Sequence, residues 1–92
     1  MNGKSKIVGK VIDVNTRELI VGAPVRVISS TYGAQSDSGG TFNISELPPG
    51  TYDIVANYIG YEQAIASHID IQADHVIVLN FELVSVPIKV LY

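Results

Sequence analysis

A chain of 92 residues, 47% hydrophobic and only 16% charged, has room for one small domain and too much apolar content for disorder. Its net charge of −3 with no basic stripe leaves nucleic-acid binding without electrostatic support. The absence of cysteine removes disulfides, thiolate nucleophiles and cysteine-type zinc sites, and no apolar run reaches the ~20 residues of a membrane-spanning helix.

Period-two alternation dominates the chain and helical periodicity is nearly absent, so the elements are read as strands. Lys6 to Asp13 places Ile7, Gly9 and Val11 on one face, with Gly9 leaving room for close packing. Asn15 to Glu18 is a polar turn, and Leu19 to Val21 a short apolar extension ended by Gly22. Ala23 to Ser30 is the second strand, with Val25 and Val27 on one face and Arg26 and Ile28 on the other. Pro24 lies near its start, where a missing N–H is tolerated. Tyr32 and Gly33 form the next bend, and Gly33 to Ser36 a short third strand. Asp37 to Gly40 is a tight turn in which Asp37 accepts backbone N–H bonds and Gly40 takes a positive φ. Thr41 to Ser45 follows, with Phe42 and Ile44 facing inward.

Pro48, Pro49 and Gly50 punctuate the chain, Gly50 being a second expected positive-φ position. In Thr51 to Tyr58, Tyr52, Ile54, Ala56 and Tyr58 share the inward face. Gly60 bends the chain, and Tyr61 to Ile71 resumes with Ile65, Ile69 and Ile71 in phase. After a turn at Ala73 and Asp74, His75 to Leu83 turns Ile77, Leu79, Phe81 and Leu83 inward. Short strands between frequent turns predict an all-β, antiparallel β-sandwich of seven strands. The apolar segment from Val84 to Tyr92 carries Pro87 and is either a linker to a further domain or an eighth strand on a sheet edge. The expected division is thus a disordered N-terminus over 1–5, the sandwich over 6–84, and a linker or edge strand over 85–92.

Chemistry finds little footing. His68 and His75 flank a turn, and a zinc site there would need Asp70 and Asp74 as well; solvated strand residues are the simpler reading. No G-x-S-x-G elbow surrounds any serine. Asp13, Asp37, Glu46 and Asp53 would act as acid and base only in a cleft, which a thin sandwich does not offer. No catalytic residue, cofactor or metal is therefore expected. Tyrosines carry more promise. Tyr52 and Tyr58 share the inward phase and belong to the core, whereas Tyr32 and Tyr61 lie at bends and form a ligand platform for sugars or peptides if one exists.

The ordered segments IVGKVIDVNTRELIVGAPVRV, SDSGGTFNI, LPPGTYDIVANYIGYE and VLNFELV resemble the carboxypeptidase regulatory-like domain family. The likeness runs from about Lys6 to Val84, and within the family it is nearest to the N-terminal modules of TonB-dependent outer-membrane receptors of Bacteroidetes. It implies a transthyretin-like (prealbumin-like) sandwich, an accessory role without catalysis, and a place on the periplasmic side of the outer membrane within a larger envelope protein. The partners it implies are neighbouring domains or another envelope protein. A carbohydrate-binding module, taking an oligosaccharide, is the alternative. Asp37, Gly40, Gly50 and Gly60 are the turn residues of the motif.

Overall fold

The computed structural model describes residues 4–86. Within them the alternating pattern becomes eight strands: β1 (Ser5–Asp13), β2 (Pro24–Val27), β3 (Gly33–Gln35), β4 (Thr41–Leu47), β5 (Gly50–Ala56), β6 (Ala64–Ile71), β7 (Val76–Val78) and β8 (Phe81–Leu83). β1 carries the cleanest alternation, burying Ser5, Ile7, Gly9, Val11 and Asp13, and it becomes the centre of one sheet. β4 pairs with it antiparallel on one side. On the other side β7 and β8 pair with its first and second halves, and both run parallel to it. The second sheet has the order β3-β2-β5-β6 and is antiparallel throughout. The sandwich is the expected one, apart from the parallel pairings of β1, which the expectation of antiparallel strands did not contain.

Ile7, Val11, Phe42, Ile44, Leu47 and Leu83 from the first sheet meet Val25, Val27, Ile54 and Ile71 from the second in one core. Removing such a side chain from water contributes about 1.5–3 kcal/mol. β1 begins at Ser5 rather than Lys6, and Ser5 is buried. Residues 1–3 and 87–92 lie outside the described residues, and with them most of the expected N-terminal and C-terminal segments. β2 ends at Val27, short of the expected Ser30, because Ser29 adopts φ 65° and the Ser30 hydroxyl donates to the Val27 carbonyl at 2.9 Å.

Two bulges set the phase of the core. Ser5 pairs with Leu47 but Ile7 with Ile44, so β4 holds one residue more than β1 over this stretch. Simple alternation after Phe42 and Ile44 would bury Glu46. The extra residue, with Glu46 at φ 59°, turns Leu47 inward instead and carries β4 beyond its expected end at Ser45. In β6, Tyr52 pairs with Ile69 but Ile54 with Ala66, and His68 sits at φ 57° with its N–H donating to Asp53 Oδ1 at 2.9 Å. That bulge corrects the expected phase of β6: Ile69 and Ile71 face inward, whereas Ile65 is 51% exposed.

Glu46 therefore carries left-handed strain that its ion pair with Lys4, 3.8 Å and exposed, does little to offset. Glu46→Gly is expected to be at least as stable as the wild type. Glu46→Val, β-branched at the same φ, is expected to lose about 1–2 kcal/mol. Urea denaturation of the two variants checks this, and equal midpoints would mean that the strain is absent.

The expected single strand from His75 to Leu83 is broken at Leu79 and Asn80, which brings the strands among the described residues to eight; most of segment 84–92 lies outside those residues. Leu79 N–H donates to the Val8 carbonyl at 2.8 Å, and the Asn80 side-chain oxygen accepts from Lys10 N–H at 3.0 Å, in place of a backbone carbonyl. The Leu79 carbonyl is thereby turned towards Gly9, where no side chain stands in its way.

Candidate functional site

Strand directions gather four connections at one end of the sandwich. β1 and β8 finish there as parallel neighbours, Asp13 opposite Leu83, while β2 and β4 start there and β5 ends there. The connections after β1, between β3 and β4, between β5 and β6, and after β8 therefore lie side by side.

Asp13 holds this end together. Its Oδ1 accepts the N–H groups of Asn15 at 2.8 Å and Thr16 at 3.0 Å, and its Oδ2 accepts the Tyr61 hydroxyl at 2.7 Å. The second contact joins the end of β1 to the connection between β5 and β6, linking the two sheets. Around it, Tyr61 forms a bridge with Ser85, Glu62 N–H donates to the Val84 carbonyl, and Val86 N–H donates to the Gly60 carbonyl. The outgoing chain past β8 is thus bonded to the same connection that carries Tyr61.

The Tyr61 hydroxyl, followed by the Thr16 and Asn15 N–H groups, holds the Asp13 carboxyl below its ordinary value of 3.8. The same bond to Asp13 pushes the Tyr61 phenol above 10.0. A lowered acid stabilises the fold fully above its unfolded value, and that contribution is lost as pH falls through the folded one. A raised phenol stabilises below 10.0 and loses its contribution as pH rises through the folded value. The stability gap between wild type and Tyr61→Phe is therefore expected to be full at pH 6, to narrow below pH 3.8, and to narrow again above pH 10.0. Urea midpoints measured across pH read it directly; a gap independent of pH would mean that the bond does not titrate.

Beside this clasp lies an open groove of about 450 Å³, lined by Gly22, Pro24, Gln35, Asn57, Tyr58 and Ile59. Gln35 pairs with Pro24 across β3 and β2, and Asn57 N–H donates to the Pro24 carbonyl, so these three residues form one row across the sheet. Val25 and Ala56 are buried beside them, which leaves the row on the outward face. Tyr58 and Ile59 rise from the connection after β5, Ile59 being 87% exposed. The Tyr58 ring packs against that of Tyr61, centroids 6.1 Å apart and planes tilted by 48°.

Tyr32 and Tyr61 are not brought together. The Tyr32 carbonyl accepts from Val27 N–H at the far end of β2, whereas Tyr61 lies beyond the Ala56 end of β5. Both are half-buried. Tyr52 and Tyr58 pack against the core, Tyr52 donating its hydroxyl to the Pro48 carbonyl at 2.6 Å. Asp37 Oδ1 accepts the N–H groups of Gly39 and Thr41, and Gly40 follows at φ 74°. Gly50 has φ 159° and Gly60 φ 86°. A Cβ on Gly50 would meet the Tyr52 hydroxyl at 3.2 Å.

The acidic residues weighed for chemistry are occupied locally: Asp13 and Asp37 by turns, Asp53 by the His68 N–H, and Glu46 by Lys4. His75 Nδ1 lies 2.7 Å from the Ala73 carbonyl. Among the described residues no three of His, Cys, Asp or Glu gather as a metal would require. Sequence reasoning missed the groove. Its amides lie far apart in the sequence, Gln35 at the end of β3 and Asn57 just past β5, and only strand register places them on either side of Pro24.

Two facing sheets, with acidic and tyrosine side chains committed to turns, bulges and an inter-sheet clasp, define a prealbumin-like β-sandwich module. The sequence matches the carboxypeptidase regulatory-like domain over residues 6–84, and the chain belongs to that family. No curated protein matches it. Among solved structures it is similar to a type II cohesin–X-dockerin complex from Acetivibrio cellulolyticus (TM-score 0.73, 17% identity, covering 88% of this chain and 58% of that one). It is also similar to a candidate carbohydrate-binding protein from Bacteroides uniformis (TM-score 0.66, 16% identity, 88% and 41%). A third similar structure is a candidate membrane-associated protein of unknown function from Bacteroides fragilis (TM-score 0.64, 23% identity, 95% and 30%). The chain spans little more than half of the first of these and less than half of the others.

Proposed function

We propose that the chain is a non-catalytic accessory module of a cell-envelope protein, acting as a spacer and interaction domain. The observation that carries this reading is the course of the backbone. β1 starts at Ser5, and β8, parallel to it, ends level with Asp13, so the chain enters at one end of the sandwich and leaves at the other. At ~3.3 Å per residue, β1 separates those ends by about 30 Å. A module threaded in this way holds its neighbours apart along one line, and its outgoing segment is bonded to the body at Gly60, Tyr61 and Glu62.

Family membership supports the accessory role, and the ordered motifs support the finer reading: the periplasmic N-terminal module of a TonB-dependent nutrient receptor at the outer membrane. Its partners are neighbouring domains or another envelope protein. Protease treatment of the cells tests the location. The chain is expected in the envelope fraction, protected in intact cells and cleaved once the outer membrane is permeabilised; recovery in the cytosol would sink the reading. Deleting codons 6–84 from the native gene is expected to lower nutrient uptake or partner binding. Unchanged uptake, receptor level and partner binding would reject the receptor role.

A second reading, binding of carbohydrate, is favoured by one observation: the groove beside the Tyr58–Tyr61 pair combines an aromatic ring with two exposed side-chain amides. The earlier platform of Tyr32 and Tyr61 enters this reading only at its Tyr61 end.

A further inference from the structure

We infer that the groove between Gln35, Asn57 and Tyr58 binds an uncharged oligosaccharide; this rests on the carbohydrate reading and not on the receptor reading. The groove's lining holds no charged side chain, although the chain as a whole is acidic. The nearest cation along β2, Arg26, does not line it. A phosphate or a carboxylate would find no counter-charge there, so the charge balance favours a neutral ligand.

The polar groups present are two carboxamides, each with an acceptor oxygen and two N–H donors. Such groups match vicinal hydroxyls, which donate and accept at once. Gln35 and Asn57 stand on either side of Pro24, a flat apolar strip between them. Tyr58 supplies an aromatic body with a polar tip, suited to the apolar face of a sugar ring. Its orientation is fixed from behind by Tyr61, itself held by Asp13, so little conformational freedom is lost on binding. At about 450 Å³ and widely open to solvent, the groove suits a chain segment rather than an enclosed small molecule.

The test is an NMR titration of the full 92-residue chain with maltoheptaose, cellohexaose, xylohexaose and mannohexaose in separate arms. At least one arm is expected to shift the amides of Gly22, Gln35, Asn57 and Ile59 in a saturable way. Gln35→Ala and Asn57→Ala, both at exposed positions, are each expected to weaken that binding about tenfold. Tyr58→Phe, which keeps the ring, is expected to retain it within about threefold, and Tyr58→Ala to abolish it. Saturable shifts confined to another surface, such as that around Tyr32, would overturn the groove and leave the carbohydrate reading standing. No shift in any arm at about 10 mM, a concentration that would fill about nine-tenths of a site with a Kd of ~1 mM, would overturn both. Shifts at the groove that survive both alanine variants would overturn the role of the amides.

Discussion

Gly9→Ala is expected to cost about 3 kcal/mol or more, a large share of the roughly 5–14 kcal/mol that a domain of this length commands. Gly9 sits in the middle of β1, opposite Phe42 of β4 and beside the break between β7 and β8. A Cβ there would fall on the Leu79 carbonyl oxygen, 2.6 Å from its carbon and 3.1 Å from Phe42 Cε1. A side chain could rotate away, but a carbonyl cannot. Leu79 is tied to the Val8 carbonyl through its N–H, and Asn80 to Lys10, so the obstructing peptide is bonded on both sides of the collision. Gly22→Ala is the control. Gly22 has φ 79°, but its Cβ would meet nothing within 4 Å, so only the left-handed penalty of about 1–2 kcal/mol applies. Thermal and urea denaturation of both variants separate collision from strain. If Gly9→Ala lost no more than Gly22→Ala, the Leu79 carbonyl would have to be free to move.

What the sequence disclosed follows from what period two can encode. Where a strand runs without interruption, alternation alone picks the buried face: Ile7 and Val11, Val25 and Val27, Phe42 and Ile44, Ile54 and Ala56 are all in the core. The turn at Asp37 was legible because aspartate and glycine have specific backbone uses there. Bulges were not. Glu46 and His68 take positive φ although neither residue type announces it, and each puts the residues on its two sides out of phase with one another. Ile65 was misplaced for that reason alone. The break at Leu79 and Asn80 is hidden because Ile77, Leu79, Phe81 and Leu83 keep their phase through it. The site was legible only in part. Bends marked Tyr61, but its bond to Asp13 and the row of Gln35, Pro24 and Asn57 depend on strand order, which no local pattern carries.

Phe42→Ala is expected to cost about 3–5 kcal/mol, and Phe81→Ala a comparable amount, with the two losses failing to add by about 0.5–1.5 kcal/mol. Both rings are buried, and their centroids lie 5.9 Å apart with planes tilted by 48°, within the range where tilted aromatic pairs attract. They come from strands on opposite sides of β1: Phe42 is opposite Gly9 and Phe81 opposite Val11. Two side chains two strands apart would ordinarily be separated by the side chain between them. Here that position is Gly9, which carries no side chain, in the row of Phe42, and Val11 in the row of Phe81. The coupling energy in a double-mutant cycle therefore reports on the contact between the two phenylalanine rings. Phe42→Leu combined with Phe81→Leu, which keeps bulk but removes both rings, is expected to retain most of the stability and none of the aromatic coupling. A cycle whose single losses simply add would mean that the rings fill space independently.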